Sequence, residues 1–298
     1  MIFQQLINGL TLGSLYALIA LGYTMVYGVL LMINFAHSEI FMSGAFVSLL
    51  VYQKLATILP PWQAFVVGIA VAFFFCALLA VLVERVAYRP LRRAARLTPL
   101  ISAIGVSILL QNSIFLWISD QSLAYPQAFQ VQHVHLFGAD VSNLQILIIG
   151  ISVALMLSLQ FFVNKTRLGT AIRATAQDAT TASLMGIPVN SIIVITFLIG
   201  GALGGVAGSL NGMYYGSIKY NMGFVPGIKA FTAAVLGGIG NIQGAMWGGI
   251  ILGVLESLAA GFIPNGSDWK DVIAFSVLLL ILLFRPEGLF GRHVPEKV

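Results

Sequence analysis

The chain has 298 residues, 59% of them hydrophobic and only 8% charged, with a mean hydropathy of +0.96, a composition that excludes a soluble domain. Its apolar runs are roughly twenty residues long, the length of a helix crossing a bilayer, and exclude a β-barrel, whose strands would alternate over about ten residues. The formal net charge of +5 sits on basic residues beside those runs, where it sets membrane orientation, so a nucleic-acid partner is not expected. The expected class is therefore an all-α, polytopic integral membrane protein without a separate soluble domain. The single cysteine, Cys76, falls within an apolar run, so no intrachain disulfide forms and packing is its expected role. The opening MIFQQLINGL lacks the basic start of a signal peptide, and its apolar run is too long for a signal core, so it is expected to remain as the first helix.

The first span is predicted over residues 6–33 and the second over 40–58, with Asn34, Phe35, Ala36, His37, Ser38 and Glu39 between them. A third covers 62–83. It leads into ERVAYRPLRRAARL, whose Arg85, Arg89, Arg92, Arg93 and Arg96 mark a cytoplasmic loop. The fourth span, 99–118, opens into a loop over 119–142 with Asp120 and Asp140 but no lysine or arginine, which is placed outside. The fifth, 144–163, returns the chain to the cytoplasm at Lys165, Arg167 and Arg173.

The polar interruption NKTRLGTAIRATAQDATTASLMGIPVN follows, residues 164–190, and is the segment that looks built to touch another protein. Residues 170–185 are predicted as one helix, roughly 24 Å long, with Ala171, Ala174, Asp178, Ala182 and Met185 on one small-residue face. Gly186 supplies a left-handed stop and Pro188 prevents continuation. Arg173, Gln177 and Asp178 make a crossing costly, so this helix is laid on the membrane surface. An ordinary cytoplasmic loop with some helix is the competing reading.

The sixth span, 191–215, carries Gly200, Gly204, Gly208 and Gly212 at every fourth position with Gly201 and Gly205 alongside, a ridge for close helix approach. Residues 229–240 are too short to span, so 229–244 is predicted to be a broken or re-entrant segment, buried in protein or lining a cavity. Helices over 245–262 and 272–284 complete about eight membrane segments, ahead of Arg285, Arg292 and Lys297. All arginines, with Lys165 and Lys297, then lie inside, against Lys54, Lys219, Lys229 and Lys270 outside. This places the N-terminus outside and the C-terminus in the cytoplasm. Met25, Tyr27 and Gly28 before one polar break are echoed by Met213, Tyr215 and Gly216 before another, a short hint of the internal repeats found in transporters.

No catalytic constellation is present: no HExxH, no GxSxG, and no cysteine with a base. The glycine-rich GGIGNIQGA lacks the lysine and hydroxyl of a phosphate-binding loop, so the chain is read as a non-enzyme that binds no cofactor. His133, His135 and Asp140 are loosely placed and make a poor metal site, so no metal is expected. Ionisable groups at membrane depth are costly unless paired or wet. Glu39, with Asn34 and His37, either lines a translocation path or forms an interfacial turn. Glu256 either pairs with Lys229 or sits near the outer surface. Glu84 adjoins Arg85 and is expected to snorkel, and Gln111 and Asn112 are expected to bond between helices.

Several stretches carry a family resemblance along nearly the whole length: NGLTLGSLYALIALGYTMVYG, INFAHSE, ERVAYRPLR, LISAIGVSILLQN, ASLMGI and KAFTAAVLGGIGNIQGAMWGG. The chain resembles the LivH-type permeases of bacterial ABC importers for branched-chain amino acids, with Ser38 standing where glycine is expected. The resemblance implies one permease domain over 1–298, with a coupling-helix loop at 164–190 that docks on an ATP-binding subunit through Arg173, Ala174, Asp178 and Gly186. It also implies a second homologous permease subunit, two ATP-binding subunits that hydrolyse ATP, a periplasmic or extracellular substrate-binding protein, and a place in the bacterial inner membrane. Leucine, isoleucine and valine are the substrates implied; other amino acids, urea or short amides are the neighbouring alternative. A secondary transporter coupled to an ion at Glu39 or Glu256 is the alternative of another class.

Overall fold

A computed structural model describes residues 1–92, 94–95, 97–136 and 138–291. Arg93, Arg96, Arg292 and Lys297, all used above for orientation, lie outside the described residues. Helices dominate: α1 (Ile2–Leu30), α2 (His37–Leu55), α3 (Pro61–Val83), α4 (Leu97–Trp117), α5 (Asn143–Lys165), α6 (Arg167–Gln177), α7 (Ala179–Leu184), α8 (Val189–Tyr215), α9 (Phe224–Gly237), α10 (Ile242–Phe262) and α11 (Gly266–Phe284). A π-helical turn (Glu84–Tyr88) and a 3-10 turn (Arg89–Leu91) prolong α3. Two short antiparallel ladders join β1 (Leu123–Ala124) to β4 (Ser217–Ile218) and β2 (His133–Leu136) to β3 (Ala139–Ser142).

Six helices, namely α1, the prolonged α3, α4, α5, α8 and α10, are long and apolar enough to cross a membrane. Helices α2 and α11, of 19 residues each, have the length but begin on polar residues, His37 to Glu39 and Asp268 to Asp271. The chain is thus a multi-pass, all-α membrane protein. The short helix expected near 229–244 begins earlier, at Phe224, and its 14 residues reach only about 21 Å against a hydrocarbon core of about 30 Å. Gly238 and Gly240, both at positive φ, turn it directly into α10, whose first turn is capped by the Asn241 side chain on the Gly244 amide (3.3 Å).

The bundle is built around α1, buried almost continuously from Gly13 to Val26. Burial demands close backbone approach, because packing between apolar helices in lipid rests on contact rather than on solvent exclusion. Glycine supplies it. Gly9 and Gly13 of α1 lie against Val254, Gly253 and Ile250 of α10, so a Cβ on Gly9 would fall 2.6 Å from the Val254 Cα. The predicted ridge on α8 serves three helices at once: Gly200 meets Gly22 of α1, Gly205 and Gly208 meet Gly44 and Phe41 of α2, and Gly201 meets Cys76 and Ala80 of α3. Cys76 is buried packing, its thiol 3.3 Å from the Ile40 carbonyl.

Two ends are distinguishable. At one, the 3-10 turn reaches the start of α8 through Arg92 Nη1 on Asn190 Oδ1 (2.7 Å), and the chain after α11 hydrogen-bonds to the end of α9. At the other, β1 pairs with β4 and the Gln4 side chain accepts from the Asp140 amide (2.7 Å), gathering the N-terminus, the 119–142 loop and the end of α8. The echo between residues 25–28 and 213–216 is out of register in the structure, since Gly28 lies within α1 while Gly216 ends α8. Helix α1 stops at Leu31 (φ 54) and α8 at Gly216 (φ 66), both left-handed, and the helices following those breaks, α2 and α9, meet inside the bundle where Gly223 and Gly227 abut Ser38. The room that Ser38 denies on α2 is supplied by those α9 glycines.

Three expectations need correction. Glu84 does not snorkel: it is fully buried and ion-paired to Arg92, since the π-helical turn rotates it into the bundle. Asn112 donates to the Ile108 carbonyl of its own helix (2.8 Å) rather than between helices, because it lies on the exposed face of α4. Lys229, counted above among loop lysines, is not in an exposed loop; it is buried in α9.

Candidate functional site

The link from α1 to α2 creates a buried polar layer. After the left-handed Leu31, the chain turns back into the bundle instead of continuing beyond the end of α1. The Asn34 carbonyl then accepts from the His37 amide, and the Ala36 carbonyl from Glu39 and Ile40, starting α2 beside Gly22. Asn34, His37 and Glu39 are 2%, 1% and 1% exposed, so none sits on an exposed turn. Their contacts diverge. Asn34 Oδ1 accepts from the Tyr88 hydroxyl (3.0 Å). His37 wedges between Gly22 of α1 and Gly204 of α8, edge-on to Tyr23 at 5.0 Å. Glu39 Oε1 accepts from Ser107 Oγ of α4 (3.3 Å), while Oε2 has no hydrogen-bond partner among the described residues and lies beside Gly223. Tyr88, Ser107 and Gly223 were not picked out from sequence; single polar residues in apolar runs carry no local signature of their partners.

A second polar cluster ties α9 to its neighbours. Lys229 Nζ lies 2.7 Å from Glu256 Oε1 of α10 and 2.6 Å from Asp271 Oδ1 of α11, and the Tyr16 hydroxyl of α1 donates to Glu256 Oε2 (3.0 Å). The Lys229–Glu256 pair is therefore present, with Glu256 itself 3% exposed. Asp271 was missed because the last span was expected to begin one residue later.

The polar interruption folds as an elbow, not as one helix. Asp178 has φ −159° and ends α6, then caps α7 by accepting from the Thr180 and Thr181 amides (2.8 and 3.1 Å). An aspartate offers the backbone this alternative to helix, and two threonines positioned to use it decide against continuation. The predicted single face from Ala171 to Met185 is thereby broken. The stop is as expected: Gly186 has φ +84°, its amide bonds the Ser183 carbonyl, and the Ile187 amide bonds the Ala182 carbonyl. Arg173 is exposed and reaches Asn164 Oδ1 (3.2 Å), Ala174 is half-buried, and Asp178 and Gly186 are exposed. Ahead of the stop, Leu184 and Met185 project at 84% and 79% exposure, an apolar tip on an otherwise polar loop. The pair was legible in ASLMGI, but only the elbow shows that both point away from the bundle.

At the end bearing the N-terminus, a cleft of about 620 Å³ is lined by Gln4, Gln127, His133, Asp140, Gln145 and Tyr214 among others. The hairpin register places His135 opposite Asp140, and the two pair on an exposed surface.

Residues 5–282 match the family model described as branched-chain amino acid transport system / permease component. The chain is 48% identical over 305 residues to the high-affinity branched-chain amino acid transport system permease protein BraD of Pseudomonas aeruginosa, covering 99% of this chain and 97% of that protein. It is 46% identical to the corresponding permease protein LivH of Escherichia coli, again over 99% and 97%. A probable branched-chain amino acid transport permease of Methanocaldococcus jannaschii is 28% identical over 93% of this chain and 89% of its own.

Proposed function

The chain belongs to the branched-chain amino acid transport system permease family, and on that premise we propose that it is the permease subunit of an ATP-driven importer for leucine, isoleucine and valine. The observation that carries the reading is 48% identity extending over 99% of this chain and 97% of BraD, so that the whole architecture is shared and not one grafted motif. The arginine-bearing end is cytoplasmic on this reading, by the positive-inside bias, and the end with the N-terminus faces the periplasm or exterior. A second homologous permease subunit completes the path, two separate ATP-binding subunits hydrolyse ATP, and a substrate-binding protein delivers the amino acid to the opposite face. The chain itself is a transport subunit without catalytic residues.

Coupling is assigned to the α6–α7 elbow. Arg173, Ala174, Asp178 and Gly186 shape it, and the Leu184–Met185 tip is the part that enters a groove on the ATP-binding subunit, as apolar anchors do at interface centres. Asn34, His37 and Glu39 are assigned to the translocation path, supported by their burial at the link into α2, with Glu39 beside the start of α9.

Purification in mild detergent from the native host is expected to recover ATP-binding subunits and a second permease, with ATP-dependent leucine uptake after reconstitution. Recovery of this chain alone, or uptake that collapses under an ionophore while ATP is maintained, would replace the reading with an ion-coupled carrier. Within the complex, Leu184→Ser with Met185→Ser should weaken binding of the ATP-binding subunit by about ten- to a hundredfold while leaving the bundle folded, since both side chains are exposed. Gly186→Val should impose about 1–2 kcal/mol of backbone strain without any steric clash, because nothing lies within 4 Å of the added Cβ, and lower uptake per ATP hydrolysed. Gly186→Asn should retain most activity; equal effects of valine and asparagine would contradict the left-handed cap as the cause.

A further inference from the structure

We propose that Glu39 receives the α-ammonium group of the amino acid in transit. The inference rests on the transport reading above and adds to it the chemical group that is recognised and the residue that recognises it.

Among the described residues three glutamates are buried in the bundle, and two have basic partners. Glu84 is paired to Arg92, and Glu256 to Lys229. Glu39, only 1% exposed, has no lysine or arginine within 4 Å among the described residues. Its Oε1 has one neutral donor, the Ser107 hydroxyl, and its Oε2 has none. A carboxylate kept at membrane depth without a built-in cation is unfavourable unless it takes up a proton or a cation is supplied from elsewhere. The proposed cargo brings one.

Gly223 at the start of α9 closes on Oε2, so that even a Cβ there would fall 3.0 Å from it and closer still to the Ser38 carbonyl oxygen. An aromatic cluster adjoins the same junction: Tyr23 of α1, beside Gly227, Phe35 of the link and Phe231 of α9, with rings within 6.4 Å of one another in successive pairs. Room for a cargo beside the carboxylate therefore requires a helix to move. The cover over Glu39 is α4, which contributes Ser107 but is itself buried only at Pro99 and Ala103. Displacement of that loosely seated helix would uncover the carboxylate without breaking the core. A metal cation fits less well, since no group of three or more metal-ligating side chains occurs among the described residues.

The test uses the whole importer in proteoliposomes, with leucine uptake and ATP hydrolysis measured in the same vesicles for wild type, Glu39→Gln and Glu39→Asp. Glutamine keeps the shape and the acceptor for Ser107 but removes the charge; it is expected to lower uptake per ATP about tenfold or more, with hydrolysis stimulated by the loaded binding protein preserved within about twofold. Aspartate keeps the charge one methylene shorter and is expected to transport clearly better than glutamine. Wild-type uptake per ATP in Glu39→Gln would overturn the proposal. So would equal impairment of the two variants, in uptake or in hydrolysis, because shape and not charge would then be what matters. Uptake that fails in every protein, wild type included, would instead overturn the importer reading. Inhibition of wild-type uptake by a protonophore at constant ATP would overturn the importer reading as well, and with it the assignment of the cargo's ammonium group to Glu39.

Discussion

Lys229→Met is expected to destabilise the bundle by about 3–5 kcal/mol, lowering its thermal unfolding midpoint in detergent more than any other single side-chain truncation at the cluster it holds together. The reason is asymmetry. Lys229 is 3% exposed and serves carboxylates on two helices, Glu256 of α10 and Asp271 of α11. Removing it leaves Glu256 charged and buried with one remaining donor, the Tyr16 hydroxyl, whereas the Asp271 side chain is 44% exposed and loses less. The double variant Lys229→Met, Glu256→Gln should recover at least half of the loss, because replacing both members of a buried pair is far less costly than orphaning one. A single variant within about 1 kcal/mol of the parent would show that the cluster contributes little to holding α9. If it does hold α9, the single variant should also impair transport, since the first turn of α9 carries the glycines that pack on Ser38.

Gly253→Leu should largely abolish recovery of monodisperse protein from membranes. The added side chain would meet the backbone of Gly13 and Gly9 in α1, and a backbone cannot move aside as a flexible side chain does. Overpacking commonly costs about 1–3 kcal/mol and more where relief would require helices to separate; here the displaced helix is α1, against which α5, α8, α9 and α10 all pack. Gly105→Leu in α4 and Gly150→Leu in α5 are the matched controls. Nothing lies within 4 Å of a Cβ at either position, and both should give normal yields. Similar losses at all three would mean that helix propensity or insertion, rather than the α1–α10 seam, governs the outcome.

These two cases mark how far the candidate site was readable before the fold. Lys229 and Glu256 are separated by 27 residues, and their pairing was one of two open readings. Nothing local connected them to Tyr16, 240 residues away from Glu256. The α8 glycine ridge was visible because its period is regular, but Gly9 and Gly13 of α1 gave no comparable signal against Gly249 and Gly253. Each pair is only two glycines long, and the seam exists only when both helices are present. Asp178 is the instructive error. As a mid-helix residue it costs only a few tenths of a kcal/mol, so periodicity carried the helix through it; the capping bonds to Thr180 and Thr181 win because they satisfy orphan amides at a new helix start.

The amino-acid sequence by itself determined the class, the order of the helices, the end at which positive charge gathers, the left-handed stop at Gly186 and the membership of a permease family. All of these depend on composition, local periodicity or stretches of contiguous residues, which need no knowledge of what lies across the bundle. Tertiary structure alone decided that α2 and α9 start inside the bundle and meet at Ser38, that Glu84 and Glu256 are paired while Glu39 is not, and that the α6–α7 segment bends to present Leu184 and Met185. The physical reason is the same in each case. The energy of a buried charge, or of a helix crossing, depends on groups brought within a few ångströms from distant parts of the chain, and that proximity exists only in the folded protein.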